Sequence, residues 1–394
     1  MSKILSVISS FLIMLCLGGV YAWSIFVPML KKQLNYSTSQ TQLIVGLTLG
    51  IFASSMIFSG KFQKKFGPQL TASLGVICLF LGYILAYYSQ GNFLILSLSI
   101  GGLCGIGTGF CYVCCLVVPA HNFPDHKGLA TGIAVGGFGA GAILLTYVVK
   151  FMLAAAPDST VLELFRLIGI SYAIVISISI IFLRFNTKPN IPVSETSIPS
   201  FSFTDPRFII LFVTMFAGTF AGLLILGNAK PLALSLGYNE EVATLSITLL
   251  AIGNMSGRVF WGWLLDKIGV DKSLLYAYFI LFFAIVLVSF VSPSEWMLNV
   301  VLVLVGLGFS SNFVLFAGKT AQIYGIDNLG LIYPFIFLAY GIAGVIGPFV
   351  GGWLFDINQN YSLALFISGG MTLFGLILYQ GSLTKINKKH KHHH

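Results

Sequence analysis

The sequence has little charge. Asp, Glu, Lys and Arg make up 8% of its 394 residues, whereas 57% of the residues are hydrophobic. An ordinary soluble domain has about 25% charged residues. The 21 basic and 12 acidic residues are therefore too few to cover the surface of a soluble protein of this length. Since the mean hydropathy is +0.94, we exclude a soluble globular protein and expect most of the chain to lie in lipid.

The sequence also lacks the motifs of enzymes and cofactor-binding proteins. Five of the six cysteines lie in apolar runs without the spacing of a disulfide framework. Cys111, Cys114 and Cys115 imitate a metal or redox motif, but they fall within a predicted apolar helix. The glycine-rich stretches 105–109 and 136–141 lack the preceding strand that a nucleotide site needs, and there is no Walker motif. We expect no metal, no cofactor and no enzymatic activity.

Long apolar runs are what the sequence has in abundance. A membrane-spanning helix needs about 20 mostly apolar residues, and twelve such runs predict an all-α integral membrane protein. The first run begins near Ile4 and is too long for the apolar region of a cleaved signal peptide. The predicted spans are 4–30, 41–60, 68–88, 92–119, 128–154, 165–184, 207–229, 241–264, 272–291, 295–318, 328–354 and 360–382.

The two halves of the chain repeat each other. Gly60–Gly67 follows the second predicted helix and Gly262–Gly269 follows the eighth, 202 residues later, and we assign both to tight loops. Two halves of six helices in parallel repeat are typical of secondary transporters. We predict an N-terminal six-helix bundle at 1–184, a cytoplasmic linker rich in Pro and Ser at 185–206, a C-terminal six-helix bundle at 207–384, and a basic, His-rich cytoplasmic tail at 385–394.

The basic residues predict the orientation in the membrane. Fifteen of those in the predicted loops and tails fall on the side that holds both termini, and five fall on the other side. Basic loops stay preferentially in the cytoplasm. We therefore expect a multi-pass protein of the cell membrane with both termini in the cytoplasm. The lipid bilayer then explains the net charge of +9, and we expect no nucleic-acid partner.

Arg258 is the one charged residue that falls deep within a predicted span. An Arg near the bilayer centre costs roughly 2.5–3.5 kcal/mol on insertion scales and usually faces a substrate or ion path. Because no Asp or Glu is predicted at a similar depth, a transient anion is the favoured partner, with a structural Arg as the alternative. Asn254 lies one helical turn earlier on the same face. It either contacts a carboxylate and the guanidinium, or makes a bond between helices.

Aromatic residues with polar groups occur in helices expected to line a central path. Each contributes either to packing or to substrate contact, and positions 333, 337 and 340 share one helix face. The candidates are Tyr21 and Trp23 on the first predicted helix, Tyr112 on the fourth, and Tyr333 and Tyr340 on the eleventh.

Several motifs resemble those of one family. Gly262–Gly269 is similar to the G-x-L-x-D-R/K-x-G signature of the major facilitator superfamily, although the first copy has Lys64 in place of the acid. The segments 18–26, 122–132 and 324–348 resemble the branch of oxalate/formate antiporters and monocarboxylate porters. The resemblance covers nearly the whole chain. It implies the major facilitator fold and the transport of small carboxylates by alternating access of the two halves.

The resemblance also implies residue roles. The Arg that binds the substrate carboxylate in this branch matches Arg258, and an Asp of animal monocarboxylate transporters matches Asn254. A Lys of the oxalate antiporters is replaced in the stretch that ends at Tyr340. One cation suits a monoanion, because a dianion would keep an unpaired charge in a site of low dielectric. The missing Asp argues against the usual route of proton coupling.

We therefore expect a secondary transporter for a small monocarboxylate such as lactate, pyruvate or formate, coupled to a proton or a counter-transported anion. The alternative is a dicarboxylate/monocarboxylate antiporter, with Lys230 or Lys319 as its second cation. A receptor or an integral enzyme fits less well, because of the twelve-helix repeat and the lack of a catalytic pair. We expect a monomer. The expected gating residues are Gly60, Lys64, Lys65, Gly67, Gly262, Asp266, Lys267 and Gly269.

Overall fold

A computed structural model describes residues 2–186, 201–290 and 294–391 of the chain. Within these ranges the regular structure is helical and includes no strand. Twelve helical stretches in the same ranges are long and apolar enough to cross a membrane. The predicted all-α membrane fold with twelve spans is therefore confirmed.

The helices follow one another along the chain with short connections. Most spans are single α-helices, and short helices of other kinds occur at Gly18–Ile25, Ser97–Cys104, Pro124–His126 and Ile326–Asn328. The α-helices are α1 (Ser2–Leu17), α2 (Val27–Leu34), α3 (Thr38–Phe66), α4 (Pro68–Tyr87), α5 (Phe93–Leu96), α6 (Gly105–Asn122), α7 (Lys127–Ala155), α8 (Val161–Ile180), α9 (Pro206–Gly227), α10 (Ala229–Ser235), α11 (Glu240–Ile268), α12 (Val270–Phe290), α13 (Glu295–Tyr324), α14 (Leu329–Asn358) and α15 (Ser362–Lys391).

Local sequence explains where several helices begin. Ser37 and Gln40 form a capping box at the start of α3, and Thr160 and Glu163 form another at the start of α8. In each box the side chain of the cap residue and that of the third helical residue accept hydrogen bonds from each other's backbone N–H. The carboxylate of Asp205 caps α9 by accepting a bond from the Arg207 backbone.

The two repeated glycine segments are helix ends rather than the predicted loops. Gly60–Phe66 is the last part of α3, and Gly262–Ile268 is the last part of α11. Nothing in either segment breaks a helix before its final glycine, and Lys near a helix C-terminus is favoured by the helix dipole. Gly67 and Gly269 then end the helices with φ values of +86° and +85°, which side chains rarely allow.

Two spans are less regular than predicted. The first leaves α geometry for a 3₁₀ helix at Gly18–Ile25, and the fourth contains a π-helix at Ser97–Cys104. Each irregular stretch contains a Gly-Gly pair, which lowers the cost of leaving the α conformation. The apolar runs at 4–30 and 92–119 are therefore interrupted helices.

The described residues form two compact units. Unit 1 contains those within 1–194 and Tyr324–Pro334, and unit 2 contains those within 195–323 and 335–394. Most of the predicted linker 185–206 lies outside the described residues, as does the end of the predicted tail 385–394. As far as that tail is described, to Lys391, it continues α15.

Candidate functional site

Arg258 is completely buried in unit 2, with 0% of its side chain exposed. It lies on α11, one turn after Asn254, which is 3% exposed. The guanidinium Nε donates a hydrogen bond of 3.1 Å to Asn254 Oδ1. The α-helical spacing of four residues brings the two side chains together. The amide is a neutral acceptor, so the charge of Arg258 is not cancelled by Asn254.

Aromatic rings from two other helices complete this part of unit 2. The guanidinium carbon of Arg258 lies 4.0 Å from the ring centroid of Phe313 on α13, which is a cation–π contact. Phe313 packs edge-on against Tyr340 of α14 at 5.2 Å, and Phe337 lies 4.8 Å from Tyr340. Three predicted residues, Arg258, Asn254 and Tyr340, therefore belong to one basic, aromatic-lined cluster.

Unit 1 has an uncharged aromatic cluster. The ring of Phe138 on α7 lies 5.2 Å from Tyr21 and 5.5 Å from Tyr112, in both cases edge-on. Phe52 of α3 lies 5.1 Å from Tyr112 and 5.9 Å from Phe138. The predicted residues Tyr21 and Tyr112 are therefore joined through Phe138, and Tyr112 is completely buried.

Trp23 makes a different set of contacts in unit 1. The indole of Trp23 donates to the Thr41 carbonyl at 2.9 Å and stacks on Phe165 at 6.1 Å. Trp23 lines a cavity of about 30 Å³ inside unit 1 together with Tyr172. Tyr333 is completely buried in unit 1.

Two of the predicted gating residues of unit 1, Lys64 and Gly60, contact the connection between α13 and α14 or the first turn of α14. Lys64 donates a hydrogen bond of 2.9 Å to Asn328 Oδ1. Gly60 packs so closely on Gly330 that a Cβ atom would meet its carbonyl oxygen at 1.8 Å. On the neighbouring helix α6, His121 Nε2 lies 3.8 Å from Asp327 Oδ1. Lys65 instead lies over the ring of Phe66, at 5.1 Å.

The matching residues of unit 2 lie at the end of α11. Gly262 is buried there, and Asp266 and Lys267 belong to the last turn, before Gly269 ends the helix. Two residues beyond Gly269, Asp271 Oδ1 accepts hydrogen bonds of 2.6 Å from the Lys319 ammonium and the Tyr379 hydroxyl. At this end of unit 2 an ion pair thus joins α12 to α13, and the hydrogen bond from the Tyr379 hydroxyl joins α15 to α12.

The two lysines considered as a second cation both have acidic partners. Lys319 pairs with Asp271 at 2.6 Å, and Lys230 pairs with Glu240 at 2.7 Å. Neither lysine belongs to the contacts found around Arg258.

Sequence reasoning missed Phe313 and Phe337, and in unit 1 it missed Phe52 and Phe138. They are four of the chain's 35 phenylalanines, and they lie in helices that are largely apolar. In such helices the sequence does not mark which face is turned inward. The one available signal for Phe337 was its place between Tyr333 and Tyr340 on a single face.

Comparisons with known proteins agree with the fold and the branch. The family model of the Major Facilitator Superfamily matches residues 8–325 and 208–393. The chain is 25% identical to the oxalate:formate antiporter of Oxalobacter formigenes over 91% of the chain and 86% of the relative. It is 23% identical to the human monocarboxylate transporter 11, over 90% of the chain and 77% of the relative.

A solved structure shows the same fold. The crystal structure of the transporter FucP in the outward conformation matches 96% of this chain and 99% of its own, with a TM-score of 0.75 and 15% sequence identity. At this identity the likeness concerns the fold and not the substrate.

Proposed function

The chain belongs to the Major Facilitator Superfamily, and from this premise we propose that it moves a small monocarboxylate anion across the membrane by alternating access. Lactate, pyruvate and formate are the substrates of the proposed size and charge. The relatives support the class of substrate, since their names refer to oxalate, formate and monocarboxylates.

The observation that carries this proposal is the environment of Arg258. A completely buried guanidinium next to a neutral amide and an aromatic ring can form charge-assisted hydrogen bonds with a carboxylate that enters. We propose that the substrate carboxylate accepts hydrogen bonds from the Arg258 guanidinium in the bidentate geometry that this group favours. Tyr340, Tyr112 and Tyr21 are the proposed hydroxyl donors, and Trp23 and Tyr333 are further candidates.

The pairing of Lys230 and Lys319 favours a monoanion over the alternative, a dicarboxylate/monocarboxylate exchanger. A second cation would be needed to balance a dianion in a buried site. Each lysine is within 2.7 Å of a carboxylate oxygen, and leaving that partner would cost part of an ion pair.

The same surroundings favour a counter-transported anion over a proton as the coupling partner. Asn254 cannot take up a proton near neutral pH. In the described part of the chain, every Asp and Glu lies in a connecting segment or in the first or last turn of a helix. Loaded counterflow in proteoliposomes should therefore exceed net uptake, whereas an equal stimulation of uptake by a proton gradient would contradict this part of the proposal.

The remaining features of the proposal concern organisation. We propose two six-helix bundles, 1–184 and 207–384, joined by a cytoplasmic linker, in a monomer of the cell membrane with both termini in the cytoplasm. The glycine-ended segments Gly60–Gly67 and Gly262–Gly269 are the proposed gating segments. Single-cysteine labelling from either side of the membrane tests the orientation.

Substitution of Arg258 tests the central claim. Arg258→Gln should abolish carboxylate binding while the protein still folds, because it removes a buried charge. Arg258→Lys should bind ten-fold or more weakly, since losing a charge-assisted hydrogen bond costs about 1.5–3 kcal/mol. The measurements are the thermal shift produced by formate, lactate and pyruvate, and radiolabelled uptake into proteoliposomes.

Arg166 offers a matched control. It donates to the Tyr87 hydroxyl at 3.1 Å and lies 4.5 Å from the ring of that tyrosine, so it also combines a hydrogen bond with a cation–π contact. Arg166→Gln should leave substrate affinity unchanged. If Arg258→Gln keeps an affinity near that of the wild type, Arg258 is a structural residue and the proposal is wrong.

A further inference from the structure

A buried polar network lies beside the Arg258 cluster in unit 2. The hydroxyl of Tyr278 on α12 lies 2.6 Å from the Thr214 carbonyl oxygen on α9 and 2.9 Å from Asn312 Oδ1 on α13. Tyr278 is 2% exposed, and Asn312 is completely buried. The hydroxyl has one proton, so it donates to one of these two acceptors at a time, and its bond to the Asn312 amide joins α12 to α13.

Asn312 is fixed at both ends of its amide. Its Nδ2 group donates to the Phe309 carbonyl at 2.8 Å within α13, while its Oδ1 atom faces the Tyr278 hydroxyl. The next residue in α13 is Phe313, whose ring lies against the guanidinium of Arg258. Successive residues of an α-helix point about 100° apart, because there are 3.6 residues per turn. The contact between Tyr278 and Asn312 therefore restrains the rotation of α13 that places Phe313.

The distance between α11 and α13 is fixed separately. The indole of Trp261 donates a hydrogen bond of 2.7 Å to the Leu307 carbonyl. Gly253 and Gly306 face the opposite helix so closely that a Cβ atom on either one would lie 2.2 Å from a backbone oxygen. These contacts hold one face of α13 against α11, and the contact between Tyr278 and Asn312 adds a restraint on α13 from the side of α12.

We propose that Tyr278 and Asn312 are positioning residues for Arg258. Through α13 they hold the ring of Phe313 beneath the guanidinium and so orient its Nη groups toward the carboxylate. This inference rests on the proposed role of Arg258 in substrate binding. Loss of the Tyr278 hydroxyl lets α13 turn, and the guanidinium then samples orientations that cannot bind a carboxylate in bidentate geometry.

The decisive variant is Tyr278→Phe, and unit 2 supplies a close control in Tyr379→Phe. Tyr379 is 3% exposed, and its hydroxyl donates a bond of 2.6 Å to Asp271, outside the Arg258 cluster. Both variants should lower the thermal midpoint of the purified protein. Tyr278→Phe alone should weaken binding of formate, lactate or pyruvate, whichever the wild type binds best, by about three- to ten-fold, with Vmax little changed.

Two further variants separate positioning from a general loss of stability. In a Phe313→Leu background, Tyr278→Phe should add no further loss of affinity, because the ring that it positions is absent. Asn312→Ser removes the amide but leaves Tyr278 bonded to Thr214, so it should reproduce the affinity loss even if Tyr278→Phe does not fold.

Parallel measurement of Arg258→Gln keeps the two claims apart. If Arg258→Gln binds normally, the proposed function fails. If Arg258→Gln loses binding but Tyr278→Phe and Asn312→Ser bind like Tyr379→Phe, the positioning role is wrong. The positioning role is also wrong if Tyr278→Phe and Phe313→Leu, when combined, lower the affinity by the full sum of their separate free-energy losses.

Discussion

The two units repeat in sequence, yet their interiors differ in charge. Unit 2 buries Arg258 next to Asn254 and Phe313. Unit 1 has its aromatic cluster around Phe138 and Tyr112, with no charged residue in the contacts that join its rings. Among the described residues, the repeated scaffold thus keeps its helix ends, while a completely buried cation occurs in unit 2 alone.

The helix ends show what the repeat retains. Gly67 and Gly269 have almost the same backbone conformation, and their carbonyls accept hydrogen bonds from the hydroxyls of Thr71 and Ser273. The residues two positions beyond the glycines differ in chemistry. In unit 1, Gln69 donates to the carbonyls of Ile180 and Ile181, whereas Asp271 of unit 2 forms an ion pair. The two units thus have the same backbone conformation at these helix ends, whereas the side chains that follow have different partners in each unit.

Tyr340→Lys should produce the largest change, because it places a second cation in the interior that already has one. Monocarboxylate affinity should fall, and an oxalate-like dianion should gain relative affinity by about ten- to hundred-fold, the equivalent of one charge-assisted bond of 1.5–3 kcal/mol. Competition between lactate and oxalate for uptake measures this. Tyr340→Phe is the control, since it adds no charge. An unaltered preference in Tyr340→Lys would mean that this part of α14 does not face the substrate.

Asp271→Asn should have the next largest effect, on stability rather than on binding. It leaves Lys319, whose side chain is 12% exposed, without its ion-pair partner and weakens the bond from Tyr379. Because the Asp271 side chain is 36% exposed, we expect a loss of about 2 kcal/mol, below the 3–5 kcal/mol of a fully buried pair. Thermal unfolding in detergent measures it, and a cycle with Lys319→Gln isolates the pair energy.

The counterpart in unit 1 should matter less. Gln69→Ala removes two neutral hydrogen bonds near a helix end and should lower the free energy of unfolding by about 1 kcal/mol. Equal losses for Gln69→Ala and Asp271→Asn would show that the ion pair contributes no more than the neutral contacts.

Gly67→Ala and Gly269→Ala should each lower the free energy of unfolding by about 1–2 kcal/mol. The two losses should be similar. Both glycines have positive φ with ψ near 160°, a region that is nearly restricted to glycine. No other atom lies within 4 Å of a Cβ added at either position, so backbone strain alone sets the cost. Thermal midpoints measured side by side test the equivalence. A difference larger than 1 kcal/mol would mean that the two helix ends are not energetically alike.

The sequence predicted some of these features and not others, for physical reasons. Twelve apolar runs suffice to predict twelve spans, because a bilayer core leaves few other ways to satisfy the backbone. Arg258 was apparent because a charge in an apolar run is costly. Phe313, Tyr278 and Asn312 were not, since α12 and α13 are mostly apolar and the faces that they turn to their neighbours depend on tertiary packing. The sequence did not predict that α3 continues through Gly60–Phe66, because glycine is unfavourable inside a helix and is common at helix ends.

The smallest effect on stability should come from the acid that only unit 2 has in its repeated segment. Asp266 lies at the end of α11 and close to the start of α12. A negative charge is unfavourable at the C-terminus of α11 and favourable at the N-terminus of α12, so its net contribution to the free energy of unfolding should be under about 1 kcal/mol.

If the segment gates transport, Asp266→Asn should slow uptake several-fold and leave equilibrium substrate binding nearly unchanged. Lys64→Gln is the matched variant in unit 1, because Lys64 occupies the equivalent position and bonds Asn328. Rates of uptake, together with binding measured by ligand-induced thermal stabilisation, separate gating from binding. A parallel fall of binding and uptake in Asp266→Asn would assign Asp266 to the substrate site, and unchanged uptake in both variants would remove the gating role from both copies of the repeat.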